Sequence, residues 1–264
     1  MDEESLTSFR CWHFRDQDPI TREQVAYILK QSQRGNLACK TILGHMHERG
    51  QGVPKNIAKA KAIYKALADV DESAYLELGR LAEEGAGEPV NYFKARQLYE
   101  RAAQKGSTAA TTKLAALMEQ GKGGPQDLEG ALILYTDSLR RYRDDSWKGI
   151  KRLRSQGLTL SIEQQKKCIE IWNLAHSRLF NRAIFYVQEQ VRKEANANHP
   201  LGPATISLIF SAESETPKIS ITESSGDPTT DQKILTLISH YNFHGGPILP
   251  NGQKSWTVSL IIPL

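Results

Sequence analysis

From Gly35 to about Leu139, apolar residues recur at intervals of three and four, the spacing that lines them up along one side of a helix. Cys39, Leu43 and His47 share a face, as do Ala74, Leu78 and Ala82, and Ala110, Leu114 and Met118. Each stretch runs into a Gly-x-Gly doublet beginning at Gly50, Gly85 or Gly121, where glycine accepts the left-handed backbone that ends a helix. A second apolar series follows each doublet: Ala60 and Tyr64, Ala95 and Tyr99, Ala131 and Tyr135. The pattern predicts helix, turn, helix, three times over. Leu43, Leu78 and Leu114 are 35 and 36 residues apart, and the glycines and tyrosines keep the same interval. The residue after each leucine is small (Gly44, Gly79, Ala115), which lets a neighbouring helix approach closely. Gly35 and Gly106 break the chain between units, and Asp71 stands at the matching place between them.

A helix pair of this kind cannot bury its apolar face alone, so units of this length stack into a solenoid. Upstream, Thr21 and Gln24 have capping-box spacing, and the helix they open ends at Gly35, in register for a lone second helix. Phe9, Trp12 and Phe14 are expected to cover the end of the stack. Downstream, Gly157 follows Gly121 by 36 residues and Trp172 follows Tyr135 by 37. Ser161 and Gln164 again have capping-box spacing, so 142–175 reads as a degenerate fourth repeat. The pattern A-x-x-x-L-G, then G-x-G, then K-A-x-x-x-Y closely resembles the Sel-one-like repeats (SLR), relatives of tetratricopeptide repeats. It departs from them at His47, Ala82 and Met118, where that family usually has an aromatic residue.

After about residue 178 the period changes to two. Ile206, Leu208 and Phe210 alternate in one stretch, Ile219 and Ile221 in a second, and Trp256, Val258, Leu260 and Ile262 in a third, all reading as strands. A helix over about Asn181 to Asn198, stopped by Pro200, precedes the first. Another over Thr230 to Tyr241, with Leu235, Ile238 and Tyr241 inward, precedes the last. The expected fold is multidomain: an all-α helical-repeat solenoid, then a small α+β domain with a three-stranded antiparallel sheet. Its parts are 1–34 (an N-terminal cap and lone repeat helix), 35–177 (the repeats) and 178–264 (helix, strand, strand, helix, strand). The turn from Ile221 to Gly226, the helix with Asp231 and Leu235, Phe243, and the loop Pro247, Pro250, Gly252 make this last part resemble the C-terminal domain of TonB-type energy transducers. The resemblance implies two helices on one face of the sheet and a last strand at an edge, where Trp256, Val258 and Leu260 would accept a partner's extended segment by strand addition. Transducers of that family carry a membrane anchor and a Pro-rich spacer where this chain has repeats.

Composition narrows the chemistry. A charged fraction of 24% and a net charge of +4 describe an ordinary folded chain and do not single out nucleic acid as a partner. No apolar stretch reaches the roughly 18–20 residues of a membrane span, and the acidic start MDEESLTSFR is not a secretory leader. Cys11, Cys39 and Cys168 lack CxxC spacing, which argues against zinc or redox motifs. They read either as buried small side chains or as one disulfide plus a free thiol, with the pair undecided. His45 and His47 point to different sides of a helix, His240 and His244 straddle a helix end, and the serines of ESSGD lie in a turn without a nucleophile elbow. With no phosphate loop either, no catalytic, cofactor or metal site is expected. Arg140, Arg141, Arg143, Lys148, Lys151 and Arg152 form a basic stretch: a solvated helix face or a dock for an acidic partner. If the first helices line the inner side of the solenoid, Thr41, His45, Glu48, Leu76, Arg80, Glu83, Thr112, Ala116 and Glu119 face inward. That mixed surface suits a peptide or domain edge.

These readings lead to a non-enzymatic adaptor of the bacterial cell envelope that binds a protein partner. An immunity protein neutralising a secreted antibacterial toxin and a TonB-type transducer fragment without its anchor are the alternatives. Family resemblance places it in the periplasm, and a native start at Met1 would place it in the cytoplasm.

Overall fold

The computed structural model describes all residues except 1, 18, 142–143, 194–200, 212–213, 215, 242 and 244–245. The chain forms two compact units, 1–138 and 139–264.

The first unit is helical. Its helices are α1 (Glu3–Arg15), α2 (Arg22–Gln33), α3 (Leu37–Arg49), α4 (Ile57–Leu67), α5 (Glu72–Glu84), α6 (Tyr92–Gln104), α7 (Thr108–Glu119) and α8 (Leu128–Ser138). The pairs α3/α4, α5/α6 and α7/α8 are the three predicted repeats. Polar residues start the helices by satisfying free backbone N–H groups: Asn36, Asn56, Asn91 and Ser107 each accept from the residue three further on. Thr21 and Gln24 form both halves of the expected capping box. Every repeat turn is closed by the same backbone bond, in which Asn56, Asn91 or Asp127 donates its N–H to the carbonyl of His47, Ala82 or Met118. Both glycines of each doublet have positive φ, between 65° and 75°. Asp71, lacking the φ of about 100° found at Gly35, instead caps α5 itself, which makes that connection one residue shorter and explains the interval of 35 instead of 36.

The core of this unit runs between successive pairs. Tyr64, Leu67, Ala74 and Leu81 form one cluster, and Ala82, Tyr99, Ala102, Ala110 and Leu117 the next. At the N-terminal end α1 packs through Cys11 and Phe14, the latter edge-on to Tyr27 at 5.6 Å. Phe9 and Trp12, expected to cover the stack, point outward and are 65% and 38% exposed. The helical period explains this, because only residues in phase with Cys11 reach α2 and α3.

The second unit comprises α9 (Asp145–Ser155), α10 (Ile162–Arg192), β1 (Ala204–Ser211), β2 (Lys218–Glu223), α11 (Pro228–Ser239) and β3 (Ser255–Ile262). The sheet is antiparallel, ordered β2-β1-β3, with Ile206 opposite Ile221 and Leu260, and Leu208 opposite Ile219 and Val258. That register gathers the alternating apolar residues on one face, where Trp172 of α10 meets Phe210 edge-on at 5.0 Å. Two expectations change here. Helices predicted to open at Ser161 and near Asn181 are one helix of 31 residues, because no glycine or proline separates them. Trp172 therefore belongs to the core over the sheet, so the 142–175 segment read as a fourth repeat groups with this unit. In α11 the buried pair is Ile234 and Ile238, while Leu235 is half-buried. The Pro-x-x-Pro-x-Gly loop holds the α9–α10 junction: the Asn251 side chain donates to the Leu160 carbonyl (2.7 Å) and accepts from its N–H (3.1 Å).

Cys11 and Cys39 form a disulfide with Cα atoms 5.3 Å apart, joining α1 to α3, while Cys168 is a buried free thiol. Closing a 28-residue separation in the unfolded chain is worth about 3–4 kcal/mol in the chain-entropy account. Replacing both cysteines by serine is expected to lower the urea-unfolding free energy by about 2–4 kcal/mol. In denaturant without reductant one thiol should react, and after reduction three; three before reduction would refute the bridge.

Candidate functional site

The most organised polar region of the first unit begins with a packing contact. Gly44 on α3 has no Cβ, and one built there would overlap the Tyr64 ring; at Gly79 it would lie 2.7 Å from the Tyr99 ring. The missing carbon admits each tyrosine flat against the facing helix, and Tyr64, Tyr99 and Tyr135 are at most 1% exposed. A buried hydroxyl needs a hydrogen-bond partner, and the same residue supplies it in each repeat. Tyr99 donates to Glu83 at 2.6 Å and Tyr135 to Glu119 at 2.8 Å, each 16 residues away. The Tyr64 hydroxyl lies 3.4 Å from Glu48 and 3.2 Å from Nδ1 of His45. Burial, and then the neighbouring carboxylates, raise the pKa of Tyr64 and Tyr99, keeping both phenols protonated.

Between the first and second repeats these groups merge into a charge cluster. The Arg80 guanidinium donates to Glu48 (2.6 Å), Glu77 (2.7 Å) and Glu84 (2.9 Å). Burial works against the charge of Arg80, but the Glu48 and Glu77 carboxylates outweigh it and its pKa rises. Burial likewise pushes the Glu48 carboxyl up, and the Arg80 hydrogen bond and charge overcome that and hold it below its usual range. His45 follows the opposite balance: desolvation outweighs Glu77 and Glu48, so the imidazole is held below its usual range and neutral. Ligand atoms of His45, Glu48 and Glu77 lie within 4.8 Å of one another, a spacing a divalent ion can use. Arg80 is already the cation bound to both carboxylates, so the geometry is that of an interhelical ion cluster. One step further along, Lys113 of α7 reaches Glu83 at 3.5 Å.

The structure sorts the residues expected to face a partner. Thr41 is buried and donates to Asp71 at 2.9 Å, Glu119 is buried against Tyr135, and Thr112 donates to the Thr108 carbonyl. These three serve the repeat framework. Leu76 is half-buried against the core, and Ala116 is half-buried on α7. Glu48, Arg80 and Glu83 keep 14%, 25% and 26% of their side chains exposed, while Glu84 and Lys113 beside them are about half exposed. Sequence reasoning missed Glu77 and Lys113, whose partners His45 and Glu83 lie in the adjoining repeat, and Glu84, which joins the cluster through Arg80 on its own helix. The latch itself had a signal: a glutamate five residues after each repeat leucine, with a tyrosine at fixed distance.

In the second unit, Arg140 and Arg141 donate backbone N–H groups to Asp144, Lys148 pairs with Asp145 at 3.0 Å, and Lys151 and Arg152 are exposed on α9. Arg143 lies outside the described residues. The opposite face of α9 buries Trp147, Ile150 and Leu153, so the basic stretch is the polar side of an amphipathic helix. Trp256, Val258 and Leu260 lie opposite Phe210, Leu208 and Ile206 on the apolar face of the edge strand β3. His240 is exposed, with Nδ1 2.7 Å from the Thr236 carbonyl, and its proposed companion His244 lies outside the described residues. Among the described residues no helix is long and apolar enough to cross a membrane.

This arrangement of stacked helix pairs is a helical-repeat solenoid, and the chain continues into a small α+β unit. Residues 39–70, 72–107 and 108–136 match the Sel1 repeat, the three places where the latch recurs. A Sel1 repeat protein from Oxalobacter formigenes has a similar structure, with a TM-score of 0.52, 20% identity, and coverage of 69% of this chain and 74% of that one. A protective antigen present in uropathogenic Escherichia coli strains, displaying an SLR fold, matches at TM-score 0.48 and 17% identity over 82% of this chain and 41% of its own length. No curated protein sequence matches the chain. The repeat match ends at residue 136, and no comparison supports kinship of the second unit with TonB-type domains.

Replacing Tyr99 by phenylalanine removes the Glu83 bond and is expected to cost about 1–2 kcal/mol in urea unfolding; an unchanged midpoint would dismiss the latch. The second expectation concerns acid. Because the folded pKa of His45 lies below its ordinary 6.5, stability is complete above that value and is lost as the pH falls through it toward the folded pKa. The thermal midpoint should drop between about pH 7 and pH 5, and His45→Gln should shrink that drop. Equal drops in the two proteins would remove His45 as the cause.

Proposed function

We propose that this chain is a non-enzymatic protein-interaction protein of the bacterial cell envelope, whose first helices hold a partner polypeptide. The observation that carries this reading is the row Glu48, Arg80, Glu84, Glu83 and Lys113, which spans α3, α5 and α7. Its side chains are ordered by the tyrosine latches and by one another. A charged surface ordered before binding loses little side-chain freedom when a partner arrives, which favours recognition of polar protein surfaces. The row contains more carboxylates than cations, which disfavours nucleic acid. Strand addition at β3 supplies a second contact. Trp256, Val258 and Leu260 would anchor the strand from its apolar face while backbone groups along its outer edge pair with the partner. The Cys11–Cys39 disulfide supports an oxidising compartment, hence the periplasm or cell envelope.

Reversing Arg80 would break the cluster that holds α3 to α5, so the test uses the half-exposed Glu84 and Lys113. Affinity purification from the native host is expected to recover a specific partner with the wild-type chain and to lose it with Glu84→Gln, Lys113→Gln, which removes two half-exposed ion pairs without adding like-charge repulsion and keeps the thermal midpoint near wild type. Retention of the same partner by that variant overturns the first-helix face as the binding surface.

A further inference from the structure

On the other side of the first unit, a groove of about 340 Å³ opens between the second helices α4 and α6. Its floor is apolar, made by Ala68, Leu78, Leu98 and the ring of Tyr75. Its walls carry four cations, Lys61, Lys65, Lys94 and Arg101, against two carboxylates, Glu88 and Asp69, the latter accepting from the Tyr75 hydroxyl at 3.4 Å. Glu88 already serves Lys61 at 3.2 Å and Lys94 at 2.9 Å, and these two ammoniums, Lys94 first, hold its carboxyl below the usual range. That leaves Lys65 on α4 and Arg101 on α6. Neither has a carboxylate within ion-pair reach among the described residues, and Arg101 lies 5.8 Å from the centre of the Tyr75 ring.

The repeat provides its own control. One unit further along, the aliphatic floor residues recur as Ala103, Leu114 and Leu134, so packing dictates them, while Tyr75 is replaced by Thr111. The rim does not recur as a whole. In the same register Lys65 becomes Glu100 and Arg101 becomes Asp137, so these two positions carry the opposite sign, although Lys61 stays cationic as Arg96. The framework therefore has no need of cations at these positions. Two cations that the fold does not require, over an apolar floor large enough for a side chain, form a binding surface with a defined chemistry.

We propose that the α4–α6 groove binds an acidic peptide segment, with an aliphatic or aromatic side chain on the Leu78–Leu98 floor and flanking carboxylates on Lys65 and Arg101. This surface is separate from the first-helix row, and either can fail without the other.

The test uses the full chain and a fluorescein-labelled eight-residue peptide in which aspartate and glutamate alternate with leucine and phenylalanine, read by fluorescence anisotropy. Saturable binding is expected, weakened at least about tenfold by Lys65→Glu, Arg101→Glu and by raising salt from about 0.05 M to about 0.5 M. The reversals Glu100→Lys and Glu84→Lys should leave the affinity unchanged, the latter separating this groove from the first-helix face. All four substituted residues are solvent-facing, and circular dichroism confirms that the variants fold. Lack of binding, equal binding by the Lys65/Arg101 variant, or equal binding of an all-glutamate peptide without apolar residues would each overturn the proposal. The last outcome would reveal a general cation surface that ignores the apolar floor.

Discussion

The tyrosine of the second helix reaches into the first because the facing residue is glycine in two repeats and alanine in the third. Much else in the solenoid follows from that close approach. A ring seated at that depth carries its hydroxyl out of water, and an unpartnered hydroxyl there would cost about 1–3 kcal/mol. A glutamate one and a half turns after the repeat leucine therefore accepts it. That carboxylate, drawn partly inside, is stabilised in turn by a cation, and the cation comes from the adjoining repeat: Arg80 for Glu48, Lys113 for Glu83. A packing requirement inside one helix pair thus propagates into an electrostatic link between pairs. The charged row exposed on the first helices is the outer end of the same chain of causes.

The two long sides of the solenoid divide their work differently. On the first-helix side the latch glutamate recurs in every repeat because the tyrosine needs it, and the cations that pair with it come from different positions. On the second-helix side the small and branched residues recur, while two of the charges above them change sign from one interval to the next. Recurrence marks the packing that every repeat shares. Departure from it, at Lys65 and Arg101, marks positions free to serve something outside the fold.

The second unit obeys a different constraint. Its sheet has one apolar face, and the register of β1 with both neighbours aligns the alternating residues of all three strands on it. A single long helix covers part of that face, burying Cys168, Trp172, His176, Phe180, Ala183, Val187 and Val191 along one side. The loop around Asn251 ties this layer to the α9–α10 junction through a reciprocal pair of hydrogen bonds with Leu160.

Periodicity alone determined the three helix pairs, the glycine turns, both capping boxes, the three strands and the helix before the last strand. These are local matters: spacing selects a face, a cap satisfies its own helix, and glycine accepts a backbone its neighbours cannot. What the sequence could not assign was the use of a residue whose partner lies in another element. Glu48, Glu83 and Glu119 read as lining the inner, partner-facing side of the solenoid, yet each is held by the hydroxyl of a tyrosine sixteen residues on. Trp172 kept the repeat interval closely enough to pass for a repeat tyrosine until β1 placed Phe210 against it. Cys11 and Cys39 became a pair only when α1 folded back on α3. In each case the deciding term is a contact made across space between surfaces leaving water together, and that energy depends on coordinates that no single stretch of chain contains.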